Sequence, residues 1–168
     1  MPVKQWAVGD VLSANDMNIW TVPMAVTKPA DTGRTNSTSA FTNDPDLQFT
    51  IASGASYWIH GTIEYKGSVN TNSDLKFQIN APTGATGFVN ITYITLSGLN
   101  GSTDNLQVNT NHTAGTNTTS NIEPLTFSGV INTAGTSGIL AFQWAQNTTN
   151  ATATTLMTGS AMIAQRIG

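Results

Sequence analysis

Apolar side chains recur at every second position over long stretches of this chain, and this period constrains the fold more than any other feature. The clearest stretch is residues 57–65, where Tyr57, Ile59, Ile63 and Tyr65 alternate with polar neighbours. A period of two is typical of a β-strand that buries one face. Further alternating or apolar runs lie at residues 47–51, 75–79, 87–96, 125–131, 139–147 and 156–167. The pattern predicts strands almost throughout.

Turn-forming residues separate these runs. Ser53-Gly54 lies between the runs at 47–51 and 57–65. Two longer turn clusters follow, APTGATG at 81–87 and NTAGTSG at 132–138. The polar stretch 97–121 is predicted to form exposed loops, with one short strand around Leu106 and Val108. There is no space for helical crossovers between strands, so residues 24–168 are predicted to form one jelly-roll-like β-sandwich of eight or nine antiparallel strands.

Residues 87–96 differ from the other strands because both sets of alternate positions are apolar. Val89, Ile91 and Tyr93 share one side, while Phe88, Ile94 and Leu96 share the other. This pattern predicts a strand that is buried on both faces or one that sits between subunits.

The first 23 residues do not follow the strand pattern. Ser13 is suited to cap a helix, and Asp16 is placed where a carboxylate favours the helix N-terminus. A short helix over residues 14–20 is therefore predicted, and Pro23 prevents it from continuing much further. Because its apolar residues are too few to bury themselves, we expect residues 1–23 to form a docking arm or to pack back onto the sandwich.

Composition excludes several partners. Charged residues make up only 9% of the chain and the net charge is −3, so the six Lys and Arg form no basic patch for nucleic acid. The chain lacks cysteine, and it contains no apolar run near the ~18 residues of a membrane span. Its start lacks the apolar core of a secretory signal. We therefore expect synthesis in the cytosol and no membrane insertion.

Catalytic motifs are also missing from the sequence. Only His60 and His112 are available as imidazoles, and no phosphate-binding loop or GxSxG elbow occurs. Asp44-Pro45-Asp46 is read as a turn in which Asp bonds its own backbone. We predict no enzyme activity, no cofactor and no metal. A glycan-processing enzyme, the remote alternative, would need Glu64 or Asp46 in a groove.

Aromatic and amide side chains offer one candidate ligand site. Trp58 and Trp144, with Gln146, could stack on and hydrogen-bond a sugar. The alternative, which the alternating pattern favours, places both tryptophans in the core.

Both ends of the chain carry a family resemblance. WAVGDVLSANDMNIW, residues 6–20, resembles the anchor segment that opens many phage tail, fibre and head-decoration proteins, with Ser13 replacing the usual Thr. Residues 125–167 resemble the closing strands of small β-sandwich minor capsid or minor tail proteins of actinobacterial phages. Gly159-Ser160 and Arg166-Ile167 match that pattern, whereas Ala161-Met162 departs from its Tyr-Leu form.

The resemblance implies a virion protein whose arm docks on the particle while the sandwich projects outward as a homotrimer. The docking candidates, by their match to the anchor segment, are Trp6, Asp10, Leu12, Asp16, Asn18 and Trp20. The expected partners are further copies of the chain and the major capsid protein or a tail protein of the same virion. The function expected is capsid decoration or a head fibre; the alternative is a tail appendage that recognises host surface glycans.

Overall fold

The structure is a computed structural model that describes residues 7–11, 13–14, 22–36, 41–68, 71–95, 98–117 and 119–168. Within these ranges the chain forms twelve strands. They are β1 (Met24–Thr27), β2 (Thr32–Arg34), β3 (Thr42–Ile51), β4 (Ser56–Lys66), β5 (Thr71–Asn80), β6 (Thr86–Thr95), β7 (Gly98–Gln107), β8 (His112–Thr116), β9 (Glu123–Asn132), β10 (Gly138–Gln146), β11 (Thr154–Leu156) and β12 (Ala161–Arg166).

The strands form two antiparallel sheets. The large sheet has the order β1-β12-β4-β9-β6-β7, with β11 and β2 attached beside β4, and the small sheet has the order β3-β10-β5-β8. Setting aside β2, β6, β7 and β11 leaves eight strands, ordered first-eighth-third-sixth in one sheet and second-seventh-fourth-fifth in the other. This nested order is that of a jelly roll. The predicted all-β sandwich is therefore confirmed.

The region predicted to be loops contains two strands. Residues 98–107 form β7, which pairs with β6, and residues 112–116 form β8, which pairs with β5. Both lie at a sheet edge, where a strand has one neighbour. Leu106 of β7 and Ala114 of β8 are buried. The expectation of exposed loops here was wrong, because the backbone of these polar segments pairs with a neighbouring strand although the segments lack an apolar alternation.

Side chains from both sheets meet in one core. Tyr57, Ile59, Ile63 and Tyr65 point inward from β4, as their spacing predicts, and each is at most 4% exposed. The Phe127 ring of the large sheet stacks on Phe142 of the small sheet with centroids 6.5 Å apart, and Phe142 stacks on Phe77 at 5.6 Å. These rings join the two sheets through apolar contact.

Gly61 is the inward position of β4 that carries no side chain. A Cβ placed there would lie 2.3 Å from Cζ of Phe127, on the neighbouring strand β9. The Phe127 ring therefore occupies the space that any other residue at position 61 would fill. This explains why glycine interrupts the otherwise bulky apolar row.

Strand β6 buries only one of its two apolar faces within this chain. Val89 and Ile91 are fully buried, whereas Phe88 is 58% exposed. The first alternative for this strand, burial of both faces within the chain, is therefore wrong, and its contact with a partner stays a prediction.

The predicted helix over 14–20 lies outside the described residues except for Ala14.

Candidate functional site

Three large apolar side chains project from the outer face of the large sheet at matched positions. Trp58 of β4 lies opposite Val130 of β9, which lies opposite Phe88 of β6. Their exposed fractions are 39%, 39% and 58%. Because alternate residues of a strand face opposite sides, these three form one line across the middle of the sheet. We call Trp58, Val130 and Phe88 the aromatic row.

A polar row runs parallel to the aromatic row, two residues along each strand. It consists of His60, Ser128, Asn90 and Asn105, each opposite the next across β4, β9, β6 and β7. The His60 ring stacks on Trp58 with centroids 6.0 Å apart and planes 11° from parallel. The stacking joins the two rows and holds the Trp58 indole in a defined orientation.

Two glutamines bracket the aromatic row. Gln165 of β12 lies opposite Trp58, and Gln107 of β7 lies opposite Phe88. The aromatic and polar rows contain no Lys, Arg, Asp or Glu. The next acid along β4 is Glu64, four residues beyond His60. At strand rise that separation is about 13 Å. The face therefore offers ring surfaces, amides, a hydroxyl and an imidazole, without a pair of carboxylates for acid-base chemistry.

Trp144 and Gln146, the other candidates for a sugar site, lie in the core between the sheets. Both are fully buried. The indole Nε1 of Trp144 donates to Asp44 Oδ2 at 3.2 Å, and the Gln146 amide donates to the Thr152 carbonyl at 2.8 Å. The structure thus places Trp58 on an outer face and the other two inside, so the three residues form no common site.

Trp144 belongs to a buried charged cluster at one end of the sandwich. Lys28 is 1% exposed, and its ammonium lies 3.1 and 3.0 Å from the two carboxylate oxygens of Asp44 and 3.0 Å from Asp46. Asp44 Oδ1 also accepts the Asp46 N–H at 3.1 Å, so the predicted contact of Asp44 with its local backbone is present. The predicted turn at Asp44-Pro45-Asp46 is wrong, because these residues lie within strand β3. Lys28 is the partner that the sequence did not indicate.

The Arg34 guanidinium covers the Trp144 ring at 4.0 Å and donates to its carbonyl. Burial lowers the pKa of Arg34 below its ordinary value, and the Asp44 carboxylate opposes that shift. Every polar group in this cluster satisfies another, so its role is to join β2 and the loop after β1 to β3 and β10.

A second buried polar group surrounds Asp74. Its carboxylate accepts the backbone N–H of Ser68 at 2.5 Å and the Ser68 hydroxyl at 2.7 Å, with Thr154 at 3.3 Å. Burial, followed by the charges of Glu123 and Asp74, raises the pKa of Tyr65 well above its ordinary value. Among the described residues, no three His, Cys, Asp or Glu side chains come close enough to hold a metal ion.

The docking arm is described only in part. Residues 7–10 form a turn in which the Ala7 N–H donates to Asp10 Oδ2 at 2.9 Å, and Gly9 adopts a left-handed φ of 98°. Asp10 is exposed. The remaining docking candidates, Trp6, Leu12, Asp16, Asn18 and Trp20, lie outside the described residues. Their docking role stays a prediction.

A cavity of about 320 Å³ opens at the edge of the sandwich between β1 and β3. Its lining includes Met24, Ile51, Tyr57 and Ala164. Across the described part of the chain, no helix is both long and apolar enough to cross a bilayer.

Sequence reasoning identified Trp58 but missed Val130 and Phe88 as parts of one surface. The sequence signal that could have found them is their position in the alternating pattern of each strand. Phe88 and Val130 are apolar residues at positions that alternate with the inward ones, next to the buried Val89 and Ile131. Only the pairing of β6 with β9, and of β9 with β4, brings these out-of-phase residues together.

Fold and site together define a jelly-roll β-sandwich with an aromatic outer face. No protein-family model matches the chain, and no curated protein matches it. Similar solved structures include infectious bursal disease virus Gt strain, at 12% identity and TM-score 0.23, over 88% of this chain and 38% of that one. The structure of infectious bursal disease virus Gx strain shows 13% identity and a TM-score of 0.25, and the match covers 88% of this chain and 36% of that chain.

The VP2 subviral particle of infectious bursal disease virus is a third similar structure. It shows 13% identity and a TM-score of 0.22, over 85% of this chain and 40% of that chain. This chain therefore spans about two fifths of the length of the chains that it resembles.

Proposed function

We propose that this protein is a structural component of a bacteriophage particle, a capsid decoration or head-fibre protein that docks through residues 1–23. The observation that carries the proposal is the combination of a jelly-roll sandwich with an anchor-like segment immediately before its first strand. Jelly rolls serve viral capsids, lectins and cupins alike, so the fold does not decide between these classes. The resemblance of residues 6–20 to phage anchor segments favours the virion.

The arm and the sandwich have separate roles in this proposal. Strand β1 begins at Met24, so the arm enters the large sheet directly without an intervening shaft. A homotrimer of such sandwiches, placed over a local threefold axis, would contact several capsomers at once. The added interface area would then resist pressure from inside the shell.

The proposal is tested by supplying tagged full-length protein during particle assembly and banding the particles in a density gradient. We expect the protein to band with the particles, and the purified chain to have a solution mass three times 17.7 kDa by light scattering. Protein that stays in the soluble fraction would contradict the docking role, and a monomeric mass would contradict the trimer.

A matched pair of variants separates docking from folding. Asp10→Ala removes the carboxylate that closes the turn in the arm, and we expect it to weaken particle association. Asp31→Ala is the control, because Asp31 is another exposed acid, and it accepts the Thr158 N–H at 2.7 Å within the sandwich. Equal association of the two variants would remove Asp10 from the docking surface.

A further inference from the structure

We propose that the outer face of the large sheet binds a neutral glycan, which stacks on Trp58 and Phe88 and bonds through its hydroxyls to the polar row. This binding function goes beyond particle docking, since a decoration protein needs no saccharide ligand. The site also differs from the pairing of Trp58 with Trp144 considered from the sequence, because Trp144 is fully buried.

The spacing of the two rings suits alternate units of an oligosaccharide, with the intervening unit over Val130. Trp58 and Phe88 lie two strands apart, which at ordinary strand spacing is about 10 Å. Val130 lies between them and continues the apolar surface. Pyranose rings carry C–H groups on their faces and hydroxyls on their edges, so they stack on aromatic side chains that remain exposed at one face.

The neighbouring positions provide groups that bond hydroxyls. Gln165 and Gln107 lie at the two ends of the aromatic row, and the polar row places Asn90 and Ser128 alongside it. Amide and hydroxyl groups both donate and accept, as a sugar hydroxyl does. A ligand that lies along the aromatic row therefore meets polar groups on its edge and at both ends.

The charge of the face selects among ligands. Neither row contains a Lys, Arg, Asp or Glu, so phosphates, sulfates and carboxylates find no cation among them. An uncharged ligand, in contrast, leaves no charge without a counterpart when water is excluded. This complementarity favours a neutral glycan over nucleic acid and over acidic polysaccharides.

The strands beneath the face exclude a peptide that adds as an extra strand. β4, β9 and β6 each have paired neighbours on both sides, so their backbone groups are already bonded within the sheet. A second copy of the chain remains as a competing occupant, because aromatic residues are also enriched at protein interfaces. The solution mass of the ring variants distinguishes that occupant from a glycan.

The experiment applies full-length protein to an array of neutral glucans, mannans, galactans and chitin oligomers, with sialylated and sulfated glycans as charged comparators. Isothermal titration calorimetry then measures affinity for a neutral oligosaccharide that binds. We expect Trp58→Ala and Phe88→Ala each to weaken that affinity by roughly tenfold, the loss of one stacked ring with its buried area. Ile139→Ala is the matched control, since Ile139 is also 39% exposed but lies on the small sheet.

Binding of a neutral glycan that both ring variants weaken and Ile139→Ala retains would support the proposal. Absence of binding on the array, binding of charged glycans alone, or equal affinity of all variants would overturn it. A fall in solution mass of Trp58→Ala or Phe88→Ala would also overturn it, because the face would then be an interface between copies. Failure of particle docking leaves these results unaffected, so the two proposals are separable.

Discussion

Replacing Lys28 by methionine should strongly destabilise the sandwich. The ammonium is buried and lies 3.0 to 3.1 Å from three carboxylate oxygens, two of Asp44 and one of Asp46. Methionine fills nearly the same space without a charge. The variant therefore leaves the Asp44 carboxylate, itself fully buried, with two remaining donors: the Trp144 indole and the Asp46 backbone N–H.

The expected loss in the free energy of unfolding is about 3 to 5 kcal/mol, the usual cost of leaving a buried charge without its partner. An exposed ion pair would contribute only about 0 to 1 kcal/mol. The two values are far enough apart to decide which description applies. Asp46 adds little to the estimate, because its side chain is 31% exposed and can turn toward water.

Urea unfolding followed by near-ultraviolet circular dichroism measures the change, since Trp144 lies beside the cluster. Lys28→Met combined with Asp44→Asn should be more stable than Lys28→Met alone, because the uncompensated charge is gone. Lys66→Met, at a partly exposed lysine, is the control and should change stability by less than about 0.5 kcal/mol. A loss below about 1 kcal/mol for Lys28→Met, or no recovery in the double variant, would refute the reasoning.

Two further predictions concern the core. Gly61→Ala places a Cβ against the Phe127 ring, so it should lower the free energy of unfolding in urea by about 1 to 3 kcal/mol. Gly135→Ala is the control, because the space around Gly135 is open, and it should lower that free energy by less than about 0.5 kcal/mol. Equal losses for the two variants would contradict the packing argument. Burial raises the pKa of Tyr65 above its ordinary 10.0, so the unfolded chain loses the phenolic proton first as pH rises. The contribution of the protonated Tyr65 hydroxyl to stability is complete below pH 10, and above pH 10 it falls by about 1.4 kcal/mol per pH unit. In urea unfolding measured against pH, Tyr65→Phe should lack this part of the alkaline loss of stability. An unchanged dependence on pH in the variant would contradict the prediction.

Local periodicity predicted the inner face of the sandwich well. The alternation of Tyr57, Ile59, Ile63 and Tyr65 reflects a strand with one buried side, and the structure buries all four. The same physical rule applies to Leu75, whose row is fully buried in β5. In such segments each residue's environment follows from its own position along the strand, so sequence is sufficient.

Features that depend on distant partners could not be predicted in this way. The charge of Asp44 is matched by Lys28, sixteen positions earlier, and no local pattern connects them. Strand β7 has no apolar alternation in its sequence that would predict it, and it is defined by its pairing with β6. The aromatic row likewise requires the cross-strand register, since Phe88 and Val130 are separated by 42 positions yet lie opposite each other.

The position of β12 has a consequence for biosynthesis. This strand lies between β1 and β4, although the ribosome makes it after the other eleven strands of the described ranges. Until residues 161–166 leave the exit tunnel, β1 lacks its partner in the sheet and β4 exposes an unpaired edge. Nascent chains on one messenger RNA therefore carry open sheet edges from the emergence of β4 until that of β12, when pairing between chains competes with completion of the fold.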